Sequence, residues 1–157
     1  GNKKWDGWIN VDLYSDVSDL KCDLRKLEIA SDSADAVAAI HVLEHFYEWE
    51  VADLLNEWKR VLKPGGKMIL ELPCMDKVFA YVHNCVTNKE PLQPFMTLHA
   101  LYGDPKYKNE AMCHHWGWFQ VPLRQMLESV GMERIEFFEP RYHFPFRDMR
   151  IECYKES

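Results

Sequence analysis

One unit of the sequence constrains the fold more than any other feature: two apolar runs flank an amphipathic helical pattern. The first run, Ala36–His41, has the continuous apolar character of a parallel strand buried on both faces. Over Glu50–Leu62, apolar residues recur at helical spacing, which predicts a helix with one buried stripe. Lys63–Gly66 ends that helix because proline cannot continue it, and a second strand is predicted at Lys67–Leu72. Such a unit predicts a right-handed parallel crossover and an α/β fold.

Shorter patterns lie on both sides of this unit. Two short runs near the N-terminus predict strands, and a helix that has proline in its first turn and glycine after its end precedes two further strands. Proline and glycine interrupt segment 74–110, which we interpret as a lid or insertion on the substrate side. The predicted strands are Trp8–Leu13, Leu20–Cys22, Arg134–Glu139 and Met149–Lys155, and the predicted helical segments are Asp76–Val86, Pro94–Tyr102 and Val121–Val130.

Length, charge and cysteine usage exclude several classes of protein. A chain of 157 residues is the size of a single domain, and we treat 1–157 as one unit. The formal net charge of −6 provides no basic field for a phosphate backbone, so no nucleic-acid partner is expected. No apolar run approaches the roughly 18 residues of a membrane span, so no membrane partner is expected either. Five scattered cysteines without a C-x-x-C pair indicate reduced thiols, and we expect a cytoplasmic protein.

Three motifs together carry a resemblance to a known family. They are Cys22-Asp-Leu, His41-Val-Leu-Glu-His45 and Arg60-Val-Leu-Lys-Pro-Gly-Gly66-Lys-Met-Ile-Leu, of which the Leu-Lys-Pro-Gly-Gly segment is the most specific. The sequence resembles the class I S-adenosylmethionine-dependent methyltransferases of the small-molecule type. The resemblance implies a Rossmann-like sheet that is mostly parallel with an antiparallel C-terminal strand and has helices on both faces. It also implies S-adenosyl-L-methionine as the cofactor and a small-molecule methyl acceptor.

The resemblance places the cofactor next to the N-terminal strands. Asp12, with Leu13 beside it, ends the Trp8–Leu13 pattern, where the fold puts an acid that accepts hydrogen bonds from the ribose hydroxyls. Asp23 matches the position that accepts the adenine amino group, and Leu24 offers backbone and an apolar face to the ring. Each acid has an alternative interpretation, because Asp12 can cap a turn and Asp23 can be an exposed loop acid.

The resemblance also implies a catalytic turn and a substrate loop. His41 ends its strand beside the methionine end of the cofactor, and Glu44 and His45 on the following turn are candidates for taking a proton from the acceptor. The alternative is a turn that only caps and packs, since methyl transfer depends mainly on positioning. In the Cys113–Phe119 segment, His114, His115 and Trp116 are the candidates for contacting substrate, with aromatic packing under a loop as the alternative.

Metal binding is the competing interpretation of two of these motifs. His41-Val-Leu-Glu-His45 also spells H-x-x-E-H, a zinc-hydrolase motif in which both histidines lie on one helical face. A histidine at the end of a buried strand breaks that helix, so a zinc hydrolase is only a weak alternative. Cys113, His114 and His115 with His83 or Cys85 lack the regular spacing of a ligand set. We therefore predict no metal.

One part of the family pattern is missing. Class I methyltransferases begin with a strand and a G-x-G-x-G turn, and here the chain begins with Gly1-Asn2 where that turn would end. We expect a truncated domain whose first central strand is missing between Trp8–Leu13 and Ala36–His41, with an incomplete cofactor site. Those two strands could pair directly, rearranged termini could cover their edges, or a second copy could pair with them in a homodimer. The main functional alternative is a non-catalytic remnant that acts as a binding or assembly module.

Overall fold

A four-stranded mixed sheet lies at the centre of the computed structural model, which describes residues 5–157. Its strands are ordered β1 (Ala34–Ile40), β2 (Leu62–Pro73), β4 (Asp148–Lys155) and β3 (Met132–Phe138). β1 and β2 are parallel, whereas β4 runs antiparallel to both β2 and β3. The predicted α/β class and the antiparallel C-terminal strand are confirmed, and within the described residues one of the three strand pairs is parallel.

Four helices accompany the sheet: α1 (Glu48–Val61), α2 (Met75–Asn88), α3 (Leu98–Tyr102) and α4 (Gln120–Ser129). The predicted helix that starts near Glu50 is α1, which ends one residue before the predicted Leu62. From Leu62 the chain passes directly into β2, so the segment expected to be only a helix stop already belongs to the strand. The expected helical patch Pro94–Tyr102 is divided into a 3₁₀ turn and the short helix α3.

The core lies between one face of the sheet and the helices α1 and α4. The apolar stripe of α1 is fully buried, as its spacing predicts. It packs with strand residues such as Leu70 and Ile151 and with the buried side of α4. Each such fully buried large side chain contributes roughly 1.5–3 kcal/mol relative to an exposed one. The α1 residues of this core are Val51, Leu54, Leu55, Trp58 and Val61, and those of α4 are Leu123 and Leu127.

The outer edge of β1 has no strand partner within residues 5–157. The strand predicted at Trp8–Leu13 is not formed as such, because Val11 makes a single bridge to Leu20 and the chain then turns. Two short strands that pair only with each other are marginally stable in water, which explains the difference. Direct pairing of this segment with β1 is not observed. The predicted position of the glycine-rich turn at Gly1-Asn2 lies outside the described residues.

Segment 75–117 leaves the sheet after β2 and returns to the place where it left. Cys74 and Trp118 form a parallel bridge, and the Met75 N–H donates to the Trp118 carbonyl oxygen at 2.9 Å. Within the segment, Met75, Val78 and Ala100 form a small core of their own. Segment 75–117, which contains α2 and α3, thus begins and ends at the carboxyl end of β2, while the lid or insertion role predicted for 74–110 stays a prediction.

Candidate active site

His41 lies directly after β1, at the carboxyl end of the parallel pair. Its φ is 53°, in the left-handed region that a residue with a Cβ seldom adopts. Its N–H donates to the Glu71 carbonyl oxygen on β2 at 2.7 Å, which fixes this backbone. The turn therefore holds the imidazole at the edge where open α/β sheets bind ligands.

Two carboxylates hold the His41 imidazole through its two nitrogens. Nδ1 lies 2.9 Å from Oε1 of Glu44, and Nε2 lies 3.1 Å from Oδ2 of Asp148. Burial alone would lower the pKa of His41, but the hydrogen bonds and charges of Asp148 and Glu44 raise it to about 9. Burial would raise the pKa of Asp148, but His41 and Arg147 lower it to about 2. At neutral pH the group is an imidazolium between two ionised carboxylates.

Glu44 joins the catalytic turn to the predicted substrate loop. Its backbone carbonyl oxygen accepts hydrogen bonds from the N–H groups of His115, at 2.7 Å, and Trp116, at 3.3 Å. Its side chain is 2% exposed, and neither carboxylate oxygen accepts a well-directed hydrogen bond, although His41 makes the ion-pair contact. Burial would raise the pKa of Glu44, but His41 and the charges of His45 and His114 hold it below its usual value.

The predicted substrate residues divide into two groups. His114 turns inward beside His45, with ring centroids 4.9 Å apart in an edge-to-face arrangement. His115 stacks on Tyr47 at 4.3 Å, and Trp116 is 44% exposed. The structure therefore brings Glu44, His45 and His114 together, while His115 and Trp116 lie nearer the surface. The prediction that these residues contact substrate stays a prediction.

Sequence reasoning missed three residues around His41. Asp148 pairs with its imidazole, and the His143 ring lies on it with centroids 3.9 Å apart. The carboxylate of Glu71, 0% exposed, accepts the backbone N–H groups of Arg141, Tyr142 and His143 at 2.8–3.0 Å. Glu71 is a charged residue within the otherwise apolar pattern of β2, and this is the sequence signal that could have identified it. Nothing in the sequence pattern pointed to Asp148 or His143.

The predicted cofactor residues lie on the N-terminal segment. Asp12 accepts the N–H groups of Tyr14 and Ser15, so it caps a turn. Asp23 pairs with Arg25, which also contacts Glu50 in the first turn of α1, near the carboxyl end of β1.

Asp23 keeps the capacity to bind a ligand. The Asp23 side chain is 37% exposed, and a carboxylate has about four acceptor positions. Leu24 packs on the core beside Asp23, and its carbonyl oxygen accepts the Trp58 indole N–H, whereas Leu13 is exposed. Two carboxylate acceptors and an apolar side chain match the hydroxyl and amino donors and the ring face of the adenosine in S-adenosylmethionine.

The segment from His41 to His45 does not form the helix that the zinc-hydrolase motif requires. His41 precedes a 3₁₀ turn, Leu43–His45, instead of occupying a helix, so the two histidines do not share a helical face. In residues 5–157, Cys113, His114 and His115 are not brought together with His83 or Cys85 as a ligand set either. Within the described residues, the group of three with ligand atoms close together is Glu44, His45 and His114.

The segment after β2 adds a cleft beside this centre. A cavity of about 460 Å³ lies between α3 and residues 103–113, with Leu98, Tyr102 and Cys113 in its wall. Its volume is within the range of small-molecule sites. Because Cys113 is next to His114, the cleft adjoins the loop that was predicted to contact substrate.

Comparison with known proteins gives the class to which this fold and site belong. A family model described as "Methyltransferase domain" matches residues 8–70. This match and the relatives described below confirm the resemblance to class I S-adenosylmethionine-dependent methyltransferases that the motifs predict, together with its cofactor class.

The relatives show how much of such a protein this chain represents. It is 29% identical over 118 residues to a ubiquinone/menaquinone biosynthesis C-methyltransferase, UbiE, of Cupriavidus taiwanensis, covering 74% of this chain and 47% of that protein. UbiE of Methylococcus capsulatus is 28% identical over 137 residues, covering 83% of this chain and 52% of the relative. The chain thus spans about half the length of these curated relatives.

Solved structures confirm the fold. A SAM-dependent methyltransferase from Methanosarcina mazei superposes with a TM-score of 0.56 at 18% identity, covering 85% of this chain and 65% of that one. One from Thermotoga maritima gives a TM-score of 0.57 at 15% identity, covering 87% of this chain and 63% of that one.

No helix in the described part of the chain combines the length and apolar character needed to cross a bilayer.

Proposed function

We propose that this chain is part of an enzyme that transfers a methyl group from S-adenosylmethionine to a small-molecule acceptor. The observation that carries the proposal is the position of His41, fixed in a left-handed turn at the carboxyl end of the parallel pair β1–β2. Ligands of open α/β sheets bind at that edge. The family assignment and the adjoining cleft support the same function.

The chain's own residues bind and position the reactants. Asp12 and Asp23 accept hydrogen bonds from the ribose and adenine, and Leu24 covers an apolar part of the nucleoside. When bound, S-adenosylmethionine supplies an electrophilic methyl group on its sulfonium. Residues around the cleft hold the acceptor, and orientation of the two reactants accounts for most of the rate acceleration.

His41 has a positioning role in this scheme. Both of its ring nitrogens face carboxylates, so it would have to leave one of them before it could accept a proton from the acceptor. Its contacts join the ends of β1 and β4 and so keep this edge of the sheet in one arrangement. The catalytic roles predicted for His41, Glu44 and His45 remain predictions.

Calorimetric titration with S-adenosylmethionine tests the function. We expect saturable binding to which adenosine and S-adenosylhomocysteine compete and methionine does not, because the described residues fit the nucleoside. Transfer of a radiolabelled methyl group to a panel of small hydroxyl, amine and carbon acceptors would then identify the acceptor class. No saturable binding up to about 1 mM, which corresponds to roughly −4 kcal/mol, would contradict the proposal and favour a non-catalytic binding module.

A cytoplasmic location belongs to the proposal as well. All five cysteines are free thiols, four of them buried, which suits a reducing compartment. The small-molecule acceptor and a homodimer formed through the open edge of β1 likewise remain predictions. Sedimentation of the purified chain at several concentrations would test the dimer.

A further inference from the structure

We propose that Glu44, His45 and His114 form a binding site for one zinc ion. One ligand atom from each residue lies within 4.8 Å of the others. Glu44 and His45 come from the 3₁₀ turn after β1, and His114 comes from the loop that precedes α4. The argument for this site does not rest on the proposed methyl transfer, and it departs from the sequence-based prediction of no metal.

The two histidines are oriented as metal ligands usually are. Nδ1 of His45 lies 2.9 Å from the Cys113 carbonyl oxygen, and Nδ1 of His114 lies 2.9 Å from the Ala100 carbonyl oxygen. A carbonyl oxygen only accepts, so each Nδ1 carries the hydrogen and each Nε2 keeps a lone pair. Such a contact from a backbone carbonyl fixes the tautomer and ring orientation of histidines that bind metals.

The carboxylate of Glu44 supplies the second, independent observation. It is buried, Oε1 makes the ion-pair contact with His41 at 2.9 Å without good hydrogen-bond direction, and Oε2 has no donor. A buried acceptor atom without a donor, such as Oε2 here, costs about 1–3 kcal/mol. Nε2 of His114 is 4.0 Å from Oε1 of Glu44, a separation at which they do not bond to each other. A cation bound between the Glu44 carboxylate and Nε2 of His114 would give each of them a partner.

Zinc fits this donor set best. Two imidazole nitrogens and one carboxylate oxygen match a common zinc ligand set, whereas magnesium and calcium prefer oxygen ligands only. Ligand atoms around a tetrahedral zinc are about 3.3 Å apart, given metal–ligand bonds of about 2.0–2.1 Å. The ligand atoms, which lie within 4.8 Å of one another, would therefore move closer by up to about 1.5 Å. The side chain of His114 is 10% exposed, so the three ligands lie close below the surface.

Binding would join two parts of the site. The turn after β1 and the loop before α4 already share the hydrogen bonds from His115 and Trp116 to the Glu44 carbonyl oxygen. A zinc ion adds a link between their side chains at the end of the inserted segment. Its role in this arrangement is to hold the predicted substrate loop against the turn that carries His41.

Zinc binding to the tag-free, EDTA-treated full chain tests the proposal. We expect one zinc per chain by elemental mass spectrometry after dialysis against zinc chloride, with no displacement by excess magnesium. His45→Ala and His114→Ala should each weaken binding at least about tenfold. His115→Ala and Cys113→Ser are matched controls from the same loop and should bind zinc as the unmodified chain does.

A second measurement uses the unmodified chain, so that it does not depend on the folding of a variant. Zinc should protect His45 and His114 from diethylpyrocarbonate, while the exposed His83 still reacts. The proposal is wrong if zinc is not retained at one per chain, or if the His45 and His114 variants bind as tightly as the unmodified chain. Loss of zinc in either control variant, or no protection of the two histidines, would also overturn it.

Discussion

Nε2 of His41 lies 3.1 Å from Oδ2 of Asp148, although the two residues are 107 positions apart in the chain. His41 follows β1 and Asp148 begins β4, and the two strands flank β2 on opposite sides. The contact therefore crosses the carboxyl end of β2 and connects strands that do not pair with each other.

Replacing Asp148 should destabilise the protein strongly. Asp148 accepts hydrogen bonds from His41, Arg147 and the Phe144 N–H and is fully buried. We expect Asp148→Asn to lower the free energy of unfolding by about 3–5 kcal/mol, because it leaves buried cations without their partner. Urea denaturation measures this. Asp35→Asn, at an exposed ion pair with Lys63, is the control and should change stability by under about 1 kcal/mol.

The pH dependence of stability should reveal the His41 ion pairs. The folded-state pKa of about 9 lies above the ordinary 6.5, so the contribution is complete below pH 6.5 and is lost as the pH rises through 9. Asp148, with a pKa near 2, stays ionised throughout that window. In EDTA-treated protein, the stability difference between the unmodified chain and His41→Gln should fall by up to about 3 kcal/mol from pH 6 to 9.5. A constant difference would contradict the assignment.

Glu71 should control the loop that lies over His41. Its two oxygens accept three consecutive backbone N–H groups, from Arg141, Tyr142 and His143. Glu71→Gln replaces one acceptor oxygen by a donor, so we expect these amides to exchange hydrogen at least about tenfold faster. Hydrogen exchange read by mass spectrometry measures this. Glu133→Gln, at an exposed position of β3, should leave their exchange unchanged.

Asp12 gives a test that separates its two interpretations. If Asp12 accepts hydrogen bonds from the ribose hydroxyls, Asp12→Ala should weaken S-adenosylmethionine binding about tenfold. As a turn cap it should contribute about 1 kcal/mol to stability through the N–H groups of Tyr14 and Ser15. Lower stability with unchanged binding would leave only the cap. Asp16→Ala, from the same turn and with a 96% exposed side chain, is the control.

The sequence predicted the elements that depend only on local residue patterns. The unit β1–α1–β2 follows from apolar periodicity and a proline–glycine stop, so its order and parallel pairing were predicted correctly. The position of His41 at a strand end followed from the same pattern. The Trp8–Leu13 segment was predicted as a strand because its residues suit one, but a strand also needs a neighbour to pair with, and periodicity does not supply that information.

The partners of His41 were missed for a different reason. Asp148 and His143 reach it only because β4 inserts next to β2, a consequence of sheet order that no local pattern encodes. The meeting of Glu44, His45 and His114 depends likewise on the return of segment 75–117 to its starting point. For these residues, the order of the strands and the path of segment 75–117 decide which side chains come into contact.

The closed ends of segment 75–117 have a consequence for how such a protein can diversify. Because the bridge between Cys74 and Trp118 fixes both ends, the length and content of the segment can change without altering the register of β2. Doubling the length of a flexible loop costs only about 0.6 kcal/mol in closure entropy. The segment can therefore vary in length and sequence while the sheet and its buried charges stay constant.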